Sequence, residues 1–282
     1  KTPRDYYKRK ILVEIMKVTK KLSKEDSIEI LEEIINYVKE IINSYHRARA
    51  LTEIANAYLN IEPRESKQII QFAVEITKSV ASNYYKARAL TEIAKTYMKL
   101  EPEKAEKTLE EAVKAANEII GNYEKAEALI RIAESWVRID HIKARKILEE
   151  TIELVQKIPS DDEKAEVLVK IANTAENLDR EAMADVLKRT IETVKIIVKD
   201  DEKAEALVGI AKAVRKAEKL SAIEILARII KTMEIITRDH YKVETLIGIT
   251  KVMKEFDRKI AVEALEDITK MVDIIKDDYH KA

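Results

Sequence analysis

Apolar residues return along this chain at the spacing of a helix and, on a longer scale, at a fixed step. From Arg47 the chain reads RARALTEIA. The same word comes back as KARALTEIA from Lys86, KAEALIRIA from Lys125, KAEVLVKIA from Lys164, KAEALVGIA from Lys203 and KVETLIGIT from Lys242. Each copy starts 39 residues after the one before, with no insertion or deletion. One step back lies KRKILVEIM from Lys8, and one step forward lie Lys281 and Ala282, the first two letters of a further copy. A register kept over the whole chain marks a tandem repeat. Within one copy, Ala48, Leu51, Ile54, Ala55 and Tyr58 share a face at about 100° per residue, which predicts a first helix, helix A, from Arg47 to Asn60. The Leu51 position is leucine in all seven copies, from Leu12 to Leu246, and the Ile54 position is isoleucine in all seven, from Ile15 to Ile249. An unvarying branched side chain at one depth is a core position.

A short turn follows helix A. It carries an apolar residue and then an acid, as in Ile61–Glu62, Leu100–Glu101, Ile139–Asp140, Leu178–Asp179 and Phe256–Asp257, with Ser23 in the acid's place in the first copy. Asp and Ser there can accept a hydrogen bond from a free amide of the next helix. Glu caps less well, but its charge suits a helix N-terminus. Pro63 and Pro102 come next, at the first helical position, where a missing N–H costs nothing. A second helix, helix B, is predicted to carry the core positions Leu31, Ile70, Leu109, Leu148, Leu187, Leu226 and Leu265 and, ten residues on, Ile41, Val80, Ile119, Ile158, Ile197, Ile236 and Ile275. One flank of helix A is small (Ala50, Ala89, Ala128, Ala206) and the other often larger (Ile130, Val169, Val208, Ile247), so neighbouring A helices can approach closely. The predicted fold is all-α: a solenoid of seven helix–turn–helix repeats of 39 residues, forming one array over 1–282, with repeats at about 9–47, 48–86, 87–125, 126–164, 165–203, 204–242 and 243–281.

Composition agrees. Three glycines and four prolines in 282 residues leave little room for hairpins or long loops. No cysteine is present, which removes disulfides and thiolate metal sites, and the usage of Lys, Glu and Ile resembles that of proteins from hot environments. The formal net charge is zero, so a basic nucleic-acid footprint is absent overall. The charge is uneven, with roughly six excess positive charges in the first hundred residues and roughly six excess negative ones in the next hundred. No apolar run nears the roughly 18 residues of a membrane span, and no signal peptide is visible. The expected location is the cytoplasm. The absence of methionine at Lys1 fits a processed chain or a piece of a longer one.

In the third copy, Leu90, Ile93–Ala94 and Tyr97 along helix A, and Ala105, Leu109 and Ala112 along helix B, form a pattern that resembles the tetratricopeptide family. Tyr58 and Trp136 fill the Tyr97 column in neighbouring copies, and Ala175, Val214 and Met253 replace the aromatic later. The resemblance covers the whole chain, with a turn one residue shorter than the family's, a period of 39 rather than about 34, and no closing proline. Arrays of the HEAT type have a similar period and are the alternative. The resemblance implies a superhelix whose concave face, lined by A helices, holds a peptide or protein.

The candidate partner-binding surface is the polar stripe of helix A: Arg49, Glu53, Asn56 and Asn60, then Arg88, Glu92, Lys95 and Lys99, then Glu127, Arg131 and Glu134, then Lys170 and Asn173. Its bland reading is a solvated network of ion pairs. Certain tetratricopeptide domains clamp a terminal carboxylate here, but Glu53 and Glu92 beside Asn56 would repel one. Gly209 and Gly248 sit in the Glu53 column, where a missing side chain allows close approach of a partner's backbone or tighter packing between repeats. Tyr45, Tyr84 and Tyr123 are expected to precede helix A as a ladder along one edge. Asp161–Asp162 and Asp277–Asp278 read as solvated turns where repeats join. His46, His141, His240 and His280 have no recognised ligand spacing, and no phosphate loop or nucleophile motif is present. The sequence therefore predicts a non-enzymatic scaffold for a protein or peptide partner, with no catalytic residue, metal or cofactor, no membrane contact, and nucleic acid as a minor alternative through the basic N-terminal third. A further alternative is a structural array that self-associates end to end through uncapped repeats.

Overall fold

The computed structural model describes residues 2–19, 21–214 and 219–254, together with 262, 265, 266, 268 and 269. Phe256, Asp257, Ile275, Asp277, Asp278, His280, Lys281 and Ala282, and with them most of the expected seventh helix B, lie outside the described residues. Thirteen α-helices are described. The A helices are α1 (Thr2–Thr19), α3 (Ser44–Tyr58), α5 (Asn83–Leu100), α7 (Asn122–Trp136), α9 (Asp161–Ala175), α11 (Asp200–Ala213) and α13 (Asp239–Met253). The B helices are α2 (Lys24–Lys39), α4 (Pro63–Thr77), α6 (Pro102–Asn117), α8 (His141–Val155), α10 (Arg180–Thr193) and α12 (Lys219–Thr232). From α3 on, every A helix begins 39 residues after its predecessor, and so does every B helix, as the sequence period requires.

The starts of the B helices follow the chemistry of the turn. Ser23 Oγ accepts from the Asp26 amide at 3.1 Å, Asp140 from the amides of Ile142 and Lys143, and Asp179 from that of Ala182. Glu62 and Glu101 make no such bond, and Pro63 and Pro102 follow them directly. The A helices begin three residues before the predicted start at Arg47. In α3 Asn43 explains this, since its side chain accepts from the His46 amide at 3.0 Å and starts the helix upstream of the repeated word. Tyr45, Tyr84 and Tyr123 therefore lie in the first turn of α3, α5 and α7 rather than ahead of them. The Ile41 column is also displaced from its expected place. Ile41, Ile158, Ile197 and Ile236 are buried, but each lies beyond the end of helix B, in the connector, which they pin into the core.

The chain forms two compact units, Lys1–Ile120 and Gly121–Ala282. In the first, α1, α3 and α5 pack side by side and α2, α4 and α6 each pack on their own A helix. Leu31, Ile70 and Leu109 are fully enclosed, as are Ile54 and Ile93 in the A row, and Tyr58 and Tyr97 are nearly enclosed. In the second unit α7, α9, α11 and α13 form one row and α8, α10 and α12 the other. Leu148, Leu187 and Leu226 have no exposed surface and Trp136 almost none, while Leu265, the last of that column, is exposed.

The repeat junctions are held by a side chain in the first turn of helix A, from α5 to α11 the helix's first residue. Asp161 Oδ2 accepts from the amides of Val198 and Lys199 at 2.9 and 3.0 Å, just ahead of α11. Asp200 Oδ2 does the same one repeat later, accepting from the amides of Thr237 and Arg238 and from the Thr237 hydroxyl. In the first unit Asp5 accepts from the Asn43 amide at 2.8 Å, and Asn83 donates to the Glu118 carbonyl. Asn122 donates to the Lys157 carbonyl at 2.9 Å. The reading of Asp161–Asp162 as a solvated turn is thus half wrong. Asp162 is exposed, but Asp161 is buried and paired with Lys164 at 2.8 Å, because the helix that starts with it abuts the next connector. Burial alone would raise the Asp161 pKa; Lys164 and the two amides outweigh it and the net shift is downward.

Gly209 and Gly248 mark close approach between repeats rather than to a partner. A β-carbon at Gly209 would lie 2.4 Å from Val169 Cγ2 on α9, and one at Gly248 would lie 2.6 Å from Val208 Cγ2 on α11. Valine is short and stiff and cannot swing aside. Gly209→Ala is therefore expected to lower stability by about 1 kcal/mol, overpacking outweighing alanine's helix propensity. Chemical denaturation measures this, and adding Val169→Ala should recover most of the loss. An unchanged midpoint in Gly209→Ala would mean that α9 and α11 are not in close contact.

Candidate functional site

The polar stripe follows from helix geometry. Positions 49, 53 and 56 of α3 and position 60 just past its C-cap, and their equivalents 39 residues on, recur every three to four residues and so share one face. None of the thirteen predicted stripe residues is buried. The structure nonetheless divides them by what they touch.

In the first unit the stripe is largely tied to the protein itself. The Asn56 amide nitrogen donates to the Thr52 carbonyl and to Thr96 Oγ1 at 2.9 Å, so it links α3 to α5. Glu92 pairs with Lys95 at 2.9 Å. Arg49 donates to the Tyr45 hydroxyl at 3.3 Å and lies over its ring. Glu53 and Arg88 make no ion pair with a described residue, and Asn60 and Lys99 are exposed.

In the second unit Lys170 bridges two repeats. It pairs with Glu127 on α7 and with Glu166, one turn back on α9, at 2.7 Å. Burial works against its charge, but the two carboxylates prevail and raise its pKa. Tyr123 donates to Glu166 at 2.7 Å, and burial together with that bond pushes the phenol up to about 12. The bonds from Lys170 and Tyr123 in turn hold the Glu166 carboxyl below its usual value. Arg131 makes no ion pair with a described residue.

Beyond this cluster the stripe opens. Glu134, Val137, Arg138, Asn173, Thr174 and Asn177 line a groove of about 390 Å³ between the C-terminal ends of α7 and α9. Its floor is formed by Thr174, whose hydroxyl donates to the Lys170 carbonyl, and by Val137. Glu134 and Arg138 lie one turn apart and form no ion pair with each other or with any described residue, and both are exposed. Asn173 is exposed beside them. The structure thus gathers Glu134 and Asn173, with Arg138 and Asn177, into one concave polar surface, and it separates this surface from Arg49, Glu53 and Arg88, which lie in the other unit. Sequence reasoning placed Glu134 and Asn173 in one stripe with Arg49, Glu53 and Arg88 because the repeat makes their columns equivalent.

At the opposite end of the A helices the expected tyrosine ladder is joined by rings that sequence reasoning did not name, Tyr6, His46 and Tyr85. Tyr6 lies 5.9 Å from His46 between ring centroids, and Tyr45 lies 4.7 Å from Tyr85. The signal was present in adjacent pairs, Tyr6–Tyr7, Tyr45–His46 and Tyr84–Tyr85, at the 39-residue step. Among the described residues no group of three His, Cys, Asp or Glu side chains is arranged to hold a metal, and no helix is long and apolar enough to cross a membrane.

No family model matches the chain, and no curated protein matches its sequence. Similar solved structures include a circular tandem repeat protein with a novel repeat topology and enhanced subunit contact surfaces, at 13% identity and TM-score 0.51 over 89% of this chain and 76% of its own. A protein from Thermococcus onnurineus aligns at 17% identity and TM-score 0.48 over 89% of this chain and all of its own. A signal-transduction ATPase with a tetratricopeptide repeat sensor from Pyrococcus horikoshii aligns at 14% identity and TM-score 0.42, over 96% of this chain but only 44% of the ATPase. Identities this low bear on the fold alone. With the observed pairing of helices, the likeness to the circular tandem repeat protein makes the fold of this chain a helical tandem repeat.

Proposed function

We propose that the chain is a non-enzymatic repeat scaffold that holds a protein or peptide partner on its helix-A face, at the groove between α7 and α9. The observation that carries this reading is the contrast within the stripe. Glu127, Lys170, Asn56 and Glu92 are engaged with neighbouring side chains, whereas Glu134 and Arg138 flank a concavity and have no ionic partner among the described residues. A charge of each sign and two side-chain amides suit the backbone of an extended peptide, which offers alternating donors and acceptors.

A random-peptide display library selected on the immobilised protein tests this. Selected peptides are expected to lose about ten-fold or more in affinity, roughly 1.4 kcal/mol, in an Arg138→Glu/Asn173→Ala variant, measured by calorimetric titration. Peptides that bind the variant as tightly as the parent would place the site elsewhere.

A further inference from the structure

The first turns of the A helices carry opposite charge in the two units, at equivalent positions of the repeat. Tyr45 and Tyr84 stand where Asp162 and Asp201 stand later, and Arg49 and Arg88 stand where Glu166 and Glu205 stand later, always at multiples of 39 residues. In the first unit this edge is aromatic and cationic. The Arg9 guanidinium lies 5.8 Å from the Tyr6 ring centroid, and that of Arg49 lies 5.8 Å from the Tyr45 centroid. Neither arginine forms an ion pair with a described residue. Glu53 is the one nearby carboxylate that favours the Arg9 charge, and it lies outside pairing distance. Burial first, and Arg49 second, act to lower the Arg9 pKa. Among the described residues, Arg9 Nε and the Nδ1 of the buried His46 find no hydrogen-bond partner.

On α9 and α11 of the second unit the same edge is acidic. Asp201, Glu202 and Glu205 form no ion pair with a described residue. The Glu202 carboxyl is raised by burial, then by Asp201, Glu205 and Asp162, with Lys199 alone opposing them. Lys170 and Tyr123 relieve Glu166, but Arg9 and Arg49 on the one edge, and Asp201, Glu202 and Glu205 on the other, stand beside like charges without an ion pair to a described residue.

We infer that these two edges are the halves of one interface, and that the cationic aromatic edge of Lys1–Ile120 docks on the acidic edge of Gly121–Ala282 in a second copy of this chain. The partner is argued from spacing as well as sign. Both edges are built on A helices of one repeat, about 8–10 Å apart when packed. A row of arginines at that spacing meets a row of carboxylates at the same spacing, which an unrelated acidic partner would match only by accident. Tyr6 and Tyr85, both exposed, supply the apolar contact that a purely ionic interface lacks.

Light scattering coupled to size exclusion tests the inference on the whole chain. The expected mass exceeds the 32.4 kDa of one chain at about 50 mM salt and falls to it at about 0.5 M, where exposed charges are screened. Arg49→Glu/Arg88→Glu and Asp201→Arg/Glu205→Arg should each be monomeric at low salt, with helical circular dichroism unchanged. An equimolar mixture of the two variants should associate again, because each then presents the charge the other needs. A monomeric parent at low salt, or association that survives in both variants, overturns the inference. A parent that stays monomeric while its cationic edge takes up a fluorescent single-stranded oligonucleotide also overturns it, and assigns the edge to nucleic acid.

Discussion

Trp136→Ala is expected to destabilise the second unit by about 3–5 kcal/mol, the largest effect of any single substitution proposed for this chain. Trp136 is the only tryptophan in the sequence and is 1% exposed at the end of α7. The Lys143 ammonium of α8 lies 4.2 Å from its ring centroid, so the side chain also ties helix B of its own repeat to helix A. Truncation removes this contact and leaves a cavity that rigid helix backbones on either side cannot close. Trp136→Tyr should lose far less, because Tyr58 and Tyr97 fill the same column and are almost as buried. Thermal and chemical denaturation followed by circular dichroism measures both. A loss under about 1 kcal/mol in Trp136→Ala would show that the ring is not a core element.

Asp200→Ala is expected to cost about 3 kcal/mol, from the junction rather than from the core. The carboxylate accepts three hydrogen bonds from Thr237 and Arg238 and pairs with Lys203 at 3.0 Å, and both members of the pair are buried. Burial by itself would raise its pKa, but the Thr237 hydroxyl, Lys203 and the two amides bring it down to about 2. A carboxyl lowered on folding stabilises the native state above its unfolded pKa of about 3.9, and that stabilisation disappears as pH falls toward the folded value. The amount is about 2 kcal/mol, lost between about pH 4 and pH 2. Asp161 is lowered too and adds to the same acid limb. Denaturation midpoints across that range should fall less steeply in Asp200→Asn than in the parent, and equal slopes would remove the carboxylate from the junction.

The repeat period, the helix pairs and the turn caps were all legible in the sequence because each rests on local chemistry repeated in register. Leu31 and its equivalents through Leu226 share one apolar depth, and Ser23, Asp140 and Asp179 are good caps wherever they occur. The start of helix A was not legible. Its caps run Asn43, Ser82, Gly121, Ser160, Lys199 and Arg238, and only Asn43 makes a side-chain bond to the helix. The junction hidden in Asp161 and Asp200 was missed for a related reason. Its acceptor and donors are about 37 residues apart, so no local pattern joins them. The polar stripe was readable as a face. Which of its members are engaged was not, because Lys170 reaches Glu127 across a repeat, whereas Glu134 and Arg138, a charge pair one turn apart, remain unjoined.

The most direct test of the helix-A face is site-specific photo-crosslinking. A photoreactive phenylalanine at Val137, which lines the groove, and another at Glu150, an exposed residue of α8, would be compared on the whole chain with a selected peptide. Crosslinking at position 137 and not at 150, competed away by unlabelled peptide, is the expected result. Crosslinking at 150 alone would put the partner on the B helices and contradict the assignment of the groove.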